Sequence, residues 1–230
     1  AWHCRHLWEH YAFNGDKEYL RTKGYPIMKE AAEFWLENMV EYQGHFIIAP
    51  SVSAEHGIEM KNGSPVEYST TNGEQTEGRL FTVPAYQDIE MVYDLYSHVI
   101  KAAECLNTDS VFRQKLLIAK NKLLPLKIGR YGQLQEWIDD VDNPHDHHRH
   151  LAHLYALYPG NRISYTRTPA LAQAVRKSLE MRGKGKFGDR WPHTGGNWSM
   201  AWRTALWARL YDGNQAIGTF NRMIKESGYE

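Results

Sequence analysis

Apolar residues recur at helical spacing along most of the 230-residue chain, and this pattern constrains the fold more than any other feature. In "YQDIEMVYDLYSHVIKAAECL", for example, Ile89, Val92, Tyr96 and Val99 share one face of a helix. Such patterns continue to the last residues and predict about seven or eight helices, while runs typical of strands are few. The sequence therefore predicts an all-α assembly of helical hairpins, and an (α/α) toroid is one form of it.

Several residues mark where helices begin. Asp109 precedes "SVFRQKLLIAKNKLL" and is predicted to be an N-cap. Thr168 and Pro169 are predicted to be the cap and the first residue of a later helix, and Pro26 suits the first position of an earlier one. Long polar loops separate some of these helices, and loops on a rigid scaffold commonly carry function.

Composition excludes several classes of protein. Lys+Arg and Asp+Glu both number 27, and this zero balance argues against nucleic acid and acidic membrane surfaces as partners. No apolar run approaches a membrane span. Cys4 and Cys105 are too few for a disulfide framework. The chain begins in a helical pattern without Met, so we expect a piece of a longer protein, and the absence of targeting signals carries no weight.

A dense polar segment follows the central helices. Four aspartates and five histidines lie between Asp139 and His153. The last of these histidines falls inside the apolar run "LAHLYALY". The spacing of His148, His150 and His153 matches no strong metal signature and no HExxH is present, so no metal or cofactor is predicted.

Two interpretations of this polar segment remain open. In the first, the histidines up to His148 form a solvated loop, and His150 and His153 pack against a helix. In the second, Arg149 and the histidines hold hydroxyl groups while Asp139 or Asp140 orients a base or a water. A neutral imidazole offers one donor and one acceptor, which suits sugar hydroxyls.

A second carboxyl group lies in the loop "APSVSAEHG". Glu55 follows the apolar run Phe46–Ala49, and burial beside apolar residues would raise its pKa, as a general acid requires. The alternative is an ordinary solvated loop glutamate, which the residues alone favour. Together with Asp139 or Asp140, Glu55 would supply the two carboxyl groups that glycoside hydrolysis commonly needs.

Tryptophan is abundant, with 8 in the chain. Trp198 and Trp202 lie one helical turn apart in "NWSMAWRTALWARLYDG". Trp202 and Trp207 are predicted to belong to a tightly packed core helix. Trp198 follows two glycines at the start of that helix and is the better candidate for a ring that faces a ligand.

Four stretches together resemble one known family. "HLWEHYAFNGDKEYL", "APSVSAEHG", "QLQEWIDDVDNPHDHHRHLAHLYALYPG" and "NWSMAWRTALWARLYDG" resemble glycoside hydrolase family 95, in the order of that family. Its members are inverting α-L-fucosidases, with some α-L-galactosidases. The resemblance implies that residues 1–230 are part of an (α/α)6 toroid catalytic domain, from its centre towards its C-terminal end.

The resemblance also implies roles for individual residues. Glu55 would be the general acid, and Asp140 would polarise an asparagine side chain that acts as the base. Three residues of the "HRHxxH" pattern, namely Arg149, His150 and His153, would line the sugar pocket or the layer of side chains behind it. We also assign His6 and Trp198 to the sugar-binding set. The asparagine motif of the family lies upstream of these residues, so residues 1–230 alone are expected to have little or no activity.

Two positions depart from the family pattern. Ala54 replaces the proline before the acid, and Val141 replaces an aromatic residue after Asp140. The former is expected to loosen the loop and the latter to remove a ring beside the sugar.

The function implied is hydrolysis of terminal α-1,2-linked α-L-fucosyl residues of glycans. The alternatives are an α-L-galactosidase of the same family, a non-catalytic carbohydrate-binding helical domain, and a metal-dependent hydrolase built on the histidines, which activity in chelator would dismiss. The expected partner is an oligosaccharide, with no nucleic acid and no membrane. The family also implies a secreted or periplasmic protein.

Overall fold

The helical periodicity yields a mostly helical chain. The computed structural model describes residues 1–54, 56–61, 64–65, 79–80, 84–144, 146, 148–183 and 197–226. Within these residues the α-helices are α1 (Cys4–Asn14), α2 (Lys17–Tyr19), α3 (Tyr25–Asn38), α4 (Tyr86–Leu106), α5 (Ser110–Lys122), α6 (Pro169–Met181), α7 (Asn197–Arg209) and α8 (Gly213–Glu226). A π-helical turn (Leu20–Gly24) joins α2 to α3, and a 3-10 helix covers Ala152–Ala156. The mostly helical character predicted from the sequence is confirmed.

The strands are short and antiparallel. β1 (Val40–Tyr42) pairs with β2 (His45–Ile47) through a two-residue turn in which Gln43 and Gly44 have φ angles of 50° and 78°. This left-handed turn matches the twist of a hairpin. A second small sheet places β3 (Ile58–Lys61) between β4 (Ser64–Pro65) and β5 (Arg79–Leu80).

Two compact units make up the chain. The first consists of residues 1–49 and 88–125. Its core includes the predicted face of α4, since Ile89, Val92, Tyr96 and Val99 are all fully buried. The regular spacing of these residues is therefore explained by burial along one side of a helix.

The second unit consists of residues 50–87 and 126–230. Trp202 and Trp207 are buried in it, as predicted, and Trp202 Nε1 donates to Tyr158 O at 2.7 Å. The largest fully buried aliphatic side chains of this unit are Leu134, Leu154, Leu157, Leu179 and Leu206. No helix within the described ranges is long and apolar enough to cross a membrane.

Two predicted caps behave differently from the prediction. Asp109 does precede α5, but its side chain makes no capping hydrogen bond. Its carboxylate instead accepts from Tyr25 Oη at 2.7 Å and Lys29 Nζ at 2.9 Å. Thr168 precedes Pro169 of α6 but also lacks a capping bond, because its Oγ1 accepts from Ser164 N at 2.8 Å. The Asp109 carboxylate thus binds partners far away in sequence, and the Thr168 hydroxyl binds a residue four positions before it, so neither side chain caps its helix.

Candidate functional site

A tight turn begins the polar segment of the second unit. Gly129 N donates to Gln133 O at 2.8 Å, and Gln135 N donates to Lys127 O at 3.1 Å. A Cβ on Gly129 would collide with the Gln133 side-chain amide and lie 2.5 Å from Asp140 Oδ1. The close approach of these side chains explains why the position is glycine.

The next residues are fixed by backbone pairing to the chain just before and at the start of α4. Tyr86 N donates to Glu136 O at 2.9 Å, and Ile138 N donates to Pro84 O at 3.1 Å. The intervening Trp137 is only 4% exposed. Backbone pairing on both sides of Trp137 holds Glu136 so that its carboxylate lies in the interior, where the residue is 1% exposed.

Glu136 is the shared acceptor of a buried polar cluster. Its Oε1 accepts from Ser53 Oγ and lies 2.9 Å from His56 Nδ1, while its Oε2 accepts from Arg182 Nη2. On its other side His56 contacts Asp146, with Nε2 2.6 Å from Oδ2. Arg182 Nη2 lies 3.6 Å from the same Asp146 oxygen. We call Glu136, His56, Asp146 and Arg182 the buried ion cluster.

All four groups of the buried ion cluster are charged at neutral pH. Burial opposes the charge on His56, but the Glu136 carboxylate and the hydrogen bonds to Asp146 and Glu136 raise its pKa to about 9. Burial likewise opposes ionisation of Glu136, yet His56 and Arg182 hold its pKa well below the usual range. Burial also opposes ionisation of Asp146, but the hydrogen bond to His56 and the charge of Arg182 lower the pKa of its carboxyl group. Paired charges of this kind replace the hydration lost on burial.

Histidine rings continue from the ion cluster towards α7. The His148 ring stacks on His56 with centroids 4.3 Å apart, and His150 meets His148 edge-on at 5.4 Å. Trp198 then contacts His150 edge-on at 5.0 Å. The series therefore runs from the interior to a tryptophan that is half exposed.

These further histidines are neutral at physiological pH. Burial is the main cause that lowers the pKa of His148, His150 and His153 to about 4 each. The charge of His56 adds to it at all three, as do Arg182 at His148 and His153 and Arg149 at His150. Within the described chain, His148 Nε2 and His153 Nδ1 have no hydrogen-bond partner. Neutral imidazoles with an unused nitrogen can donate to or accept from a hydroxyl group.

The chain resembles known proteins along its whole length. The model of the glycosyl hydrolase family 95 catalytic domain matches residues 1–230. The chain belongs to this family. The resemblance drawn from the four sequence stretches is thereby confirmed.

Curated relatives of this family 95 chain carry fucosidase names. The chain is 34% identical to "Alpha-L-fucosidase 2" of Arabidopsis thaliana over 94% of its length and 23% of that protein. It is 31% identical to "Probable alpha-fucosidase A" of Aspergillus niger over 99% of its length and 27% of that protein. A shorter similarity, 40% over 53 residues, joins it to "Kojibiose hydrolase" of Flavobacterium johnsoniae. The chain spans about a quarter of the length of the first two relatives.

Asp140, the predicted charge on the base side, is half-buried and held at both oxygens. Its Oδ2 accepts from Arg130 N at 2.7 Å and its Oδ1 from Gln133 Nε2 at 3.1 Å. The same Gln133 nitrogen lies 3.3 Å from Asp142 Oδ2, and Glu136 N donates to Asp142 Oδ1 at 3.3 Å. Asp140 is thus linked to the ion cluster through one amide and one neighbouring carboxyl.

Three of the predicted sugar-binding residues of the family 95 chain meet near the ion cluster. His150 is 7% exposed, its carbonyl accepts from Arg182 Nη1 at 3.0 Å, and its ring contacts Trp198. His153, in the 3-10 helix, places Nδ1 3.5 Å from Glu136 Oε2. Arg149 is half-buried beside them in sequence. Trp198 is 50% exposed, and its role as a ring that faces a ligand remains a prediction.

Two predicted residues stand apart from this description. Glu55 lies outside the described residues, although its neighbours Ala54 and His56 are described. His6 belongs to α1 of the first unit, where its side chain is 70% exposed and 3.8 Å from Glu9 Oε2. The assignments of Glu55 and His6 remain predictions.

The sequence analysis missed the ion cluster itself. His56 directly follows the predicted acid, and Glu136 and Asp146 lie in the stretch "EWIDDVDNPHD". Their positions within the family-like motifs could therefore have indicated three of the four members. Arg182 follows α6 with no motif to mark it. The described part of the chain contains no group of three or more His, Cys, Asp or Glu suited to a metal ion. Two cations, His56 and the guanidinium of Arg182, lie between the Glu136 and Asp146 carboxylates.

Proposed function

We propose that the intact protein containing this chain is an inverting exo-glycosidase that removes terminal α-1,2-linked α-L-fucosyl residues from glycans. The observation that carries the proposal is the family 95 match over the whole chain, together with relatives named as α-fucosidases. The (α/α)6 toroid belongs to the same proposal, with residues 1–230 as part of its catalytic domain. So does a location outside the cytoplasm, where glycan substrates are found.

Inversion assigns one task to each side of the scissile bond. Glu55 donates a proton to the glycosidic oxygen as the bond from that oxygen to the anomeric carbon breaks. Water attacks the anomeric carbon from the opposite face and gives its proton to a base-side group that Asp140 polarises. The products are the shortened glycan and fucose of inverted configuration, and the step requires no metal or cofactor.

The geometry around Asp140 supports its role. Two hydrogen bonds from Arg130 N and Gln133 Nε2 fix the carboxylate plane while leaving the residue half-buried. A carboxylate held in this way can act on a neighbouring amide without first reorganising, which is the general requirement for electrostatic assistance.

The neutral histidines support the sugar-binding part of the proposal. His150 and His153 remain uncharged above their lowered pKa values of about 4. His150 is 7% exposed and can offer a donor or an acceptor atom to a sugar hydroxyl, while His153, at 1%, supports the pocket from behind. Arg149 adds further donors, and the exposed face of Trp198 suits stacking against a sugar ring. We include His6 in the set as the sequence analysis did.

Hydrolysis of 2′-fucosyllactose by the intact protein tests the proposal. We expect release of fucose in chelator, with the β-anomer appearing first by proton NMR. Glu55→Gln should lower kcat by about 10²- to 10⁴-fold with little change in KM, because proton donation is lost and binding is not. Glu180→Gln, on the exposed side of α6, is the matched control and should keep full activity.

Other outcomes select the alternatives. Faster release of L-galactose from a matched α-L-galactoside would identify an α-L-galactosidase. Binding of 2′-fucosyllactose without hydrolysis would identify a carbohydrate-binding domain. Full activity of Glu55→Gln would contradict the acid assignment, and full activity of residues 1–230 alone would place the base within them.

A further inference from the structure

The residues on either side of Glu55 in sequence bind the same buried carboxylate. Ser53 Oγ and His56 Nδ1 both contact Oε1 of Glu136. The amide of His56 also donates to Ser53 O at 2.9 Å. Between Ser53 and Glu55, Ala54 N donates to the Gln87 side chain at 2.8 Å. The described chain before and after Glu55 is therefore tied to the interior by three separate hydrogen bonds.

The ion cluster that makes these contacts is balanced in charge. Glu136 and Asp146 are carboxylates, and His56 and Arg182 are cations, so the four charges sum to zero. A cluster without net charge can hold a loop firmly while its effects on the pKa of a nearby ionisable group largely cancel. Removal of one member leaves a net charge beside the loop.

We propose that the buried ion cluster is a positioning device for the proton donor, fixing the chain around Glu55 and keeping the local electrostatic balance that allows Glu55 to carry a proton. The inference rests on the proposed function, in which Glu55 is the general acid. His56, Glu136, Asp146 and Arg182 are positioning residues in this scheme, since each acts on the loop or on another member of the cluster.

Other ionisable groups face the cluster and belong to the same electrostatic setting. They come from the polar segment and from the 3-10 helix, and they are His148 stacked on His56, His153 beside Glu136, and Asp142 at the Glu136 amide. Burial and the charge of Glu136 raise the pKa of Asp142 to about 7, and the two histidines are neutral. Near neutral pH only Asp142 changes its charge among these three.

Asp146→Asn is the variant that tests the device with least disturbance. The Asp146 side chain is 24% exposed, and its Oδ1 accepts from His148 N at 2.8 Å, a bond that an asparagine oxygen can keep. Asp212→Asn is the matched control, because Asp212 has a 22% exposed side chain and a 2.7 Å ion pair with Arg176. Both variants remove one carboxylate charge from an aspartate paired with an arginine.

The readout is the ratio of two rates on the same preparation of the intact protein. Fluoride leaves readily, so α-L-fucosyl fluoride depends much less on a proton donor than 2′-fucosyllactose does. We expect Asp146→Asn to lower kcat on 2′-fucosyllactose by roughly 10- to 100-fold, the scale of a displaced catalytic group, with much less effect on the fluoride and little change in KM. Asp212→Asn should change neither rate.

The pH profile gives a second readout that a merely structural role would not move. Loss of a negative charge at Asp146 should shift the alkaline limb of kcat/KM to lower pH, because the proton donor then loses its proton more easily. His56→Gln removes a positive charge and should shift the same limb to higher pH. Opposite shifts require that the cluster acts through charge on the proton donor.

The outcomes separate this inference from the proposed function. Glu55→Gln must itself lower the rate on 2′-fucosyllactose much more than the rate on α-L-fucosyl fluoride. If it does not, the assignment of Glu55 as the acid fails. If Glu55→Gln shows it and Asp146→Asn and His56→Gln lose both activities equally, with the parental pH profile, the positioning role is overturned. The ratio is independent of the fraction of protein that is folded, so partial destabilisation of a variant leaves the test decisive.

Discussion

Gln133 is a neutral side chain that keeps two acidic ones apart. Its amide nitrogen lies 3.1 Å from Asp140 and 3.3 Å from Asp142, while its Oε1 accepts from Tyr131 N at 3.1 Å. The amide thus offers hydrogens to both carboxyl groups and cannot rotate without losing the bond to Tyr131. The orientation of Asp140 depends on this buried residue together with Arg130 N, which donates to its other oxygen.

Gly129→Ala tests that dependence. The added methyl group collides with the Gln133 amide and lies 2.5 Å from Asp140 Oδ1, so Gln133 must move away from both aspartates. We expect a loss of about 1–3 kcal/mol in the free energy of unfolding, the scale of overpacking and of broken buried hydrogen bonds, together with reduced kcat. Urea denaturation and steady-state kinetics of the intact protein measure both.

Gly218→Ala is the control for Gly129→Ala. Gly218 lies in the interior of α8, and a Cβ there meets nothing within 4 Å. The change should stabilise the helix by roughly 0.5–1 kcal/mol, because alanine has the higher helix propensity. Equal stability of the two variants would show that the Gly129 site has room to relax.

α6 is attached to the polar segment by one buried hydroxyl group. Ser178 Oγ accepts from Leu134 N at 3.0 Å and lies 3.3 Å from Leu134 O. Leu134 N also donates to Ala174 O at 3.2 Å. Arg182 follows directly after α6, so the same helix that docks through Ser178 delivers the guanidinium to Glu136.

Ser178→Ala should therefore lower the free energy of unfolding appreciably, although it removes only one oxygen atom. We expect about 1–2 kcal/mol of lost unfolding free energy, since Leu134 N loses the buried Ser178 hydroxyl and keeps only its 3.2 Å bond to Ala174 O. Ser97→Ala on α4 is the matched control, because Ser97 Oγ bonds Tyr93 O of its own helix at 2.7 Å and alanine favours that helix. Equal losses in the two variants, measured by urea denaturation, would contradict the docking role.

At the level of elements, the sequence predicts what local patterns determine. The α4 face and the burial of Trp202 and Trp207 follow from helical spacing of apolar residues, and all are confirmed. Asp109 stands at the N-cap of α5, as predicted, but it forms no side-chain capping bond because Tyr25 and Lys29, 84 and 80 positions away, bind its carboxylate. Long-range polar partners leave no periodic trace in the sequence.

For the molecule as a whole, buried ionisable groups set how stability depends on pH. His148, His150 and His153 have folded pKa values of about 4 against an ordinary 6.5, so the unfolded chain takes up more protons as the pH falls from 6.5 to 4 and stability falls. His56, with a folded pKa of about 9, acts in the opposite sense: its contribution is complete below 6.5 and is lost as the pH rises towards 9.

We expect the thermal midpoint of the intact protein to be highest near pH 7. Asp142 offsets the contribution of one histidine to this pH dependence. Its folded pKa is about 7 against 3.8 in the unfolded chain, so the folded protein loses stability as the pH rises from 3.8 to 7. Calorimetry from pH 4 to pH 9 at constant ionic strength measures the profile. His148→Gln should flatten the acid side, and a midpoint that is constant between pH 4 and pH 6.5 would contradict the buried neutral histidines.

The sequence indicates the residues around the ion cluster better than the members of the cluster itself. Motif resemblance indicated Asp140, His150, His153 and Trp198, and the last three lie in one continuous group with the ion cluster. Glu136 and Arg182 were not singled out, because a buried charge becomes meaningful only when its partners are known. Their pairing joins residues that are 46 positions apart.

A single carboxylate that serves Ser53, His56 and Arg182 also limits how the protein can change through descent. Replacement of any one of the four removes a hydrogen bond or an ion pair from this buried group. Libraries that vary one position at a time should find almost no acceptable substitute at Glu136. Combinatorial libraries that vary Glu136 with Arg182 and His56 together should find rare sets that work, so these positions are inherited, and best re-engineered, as a unit.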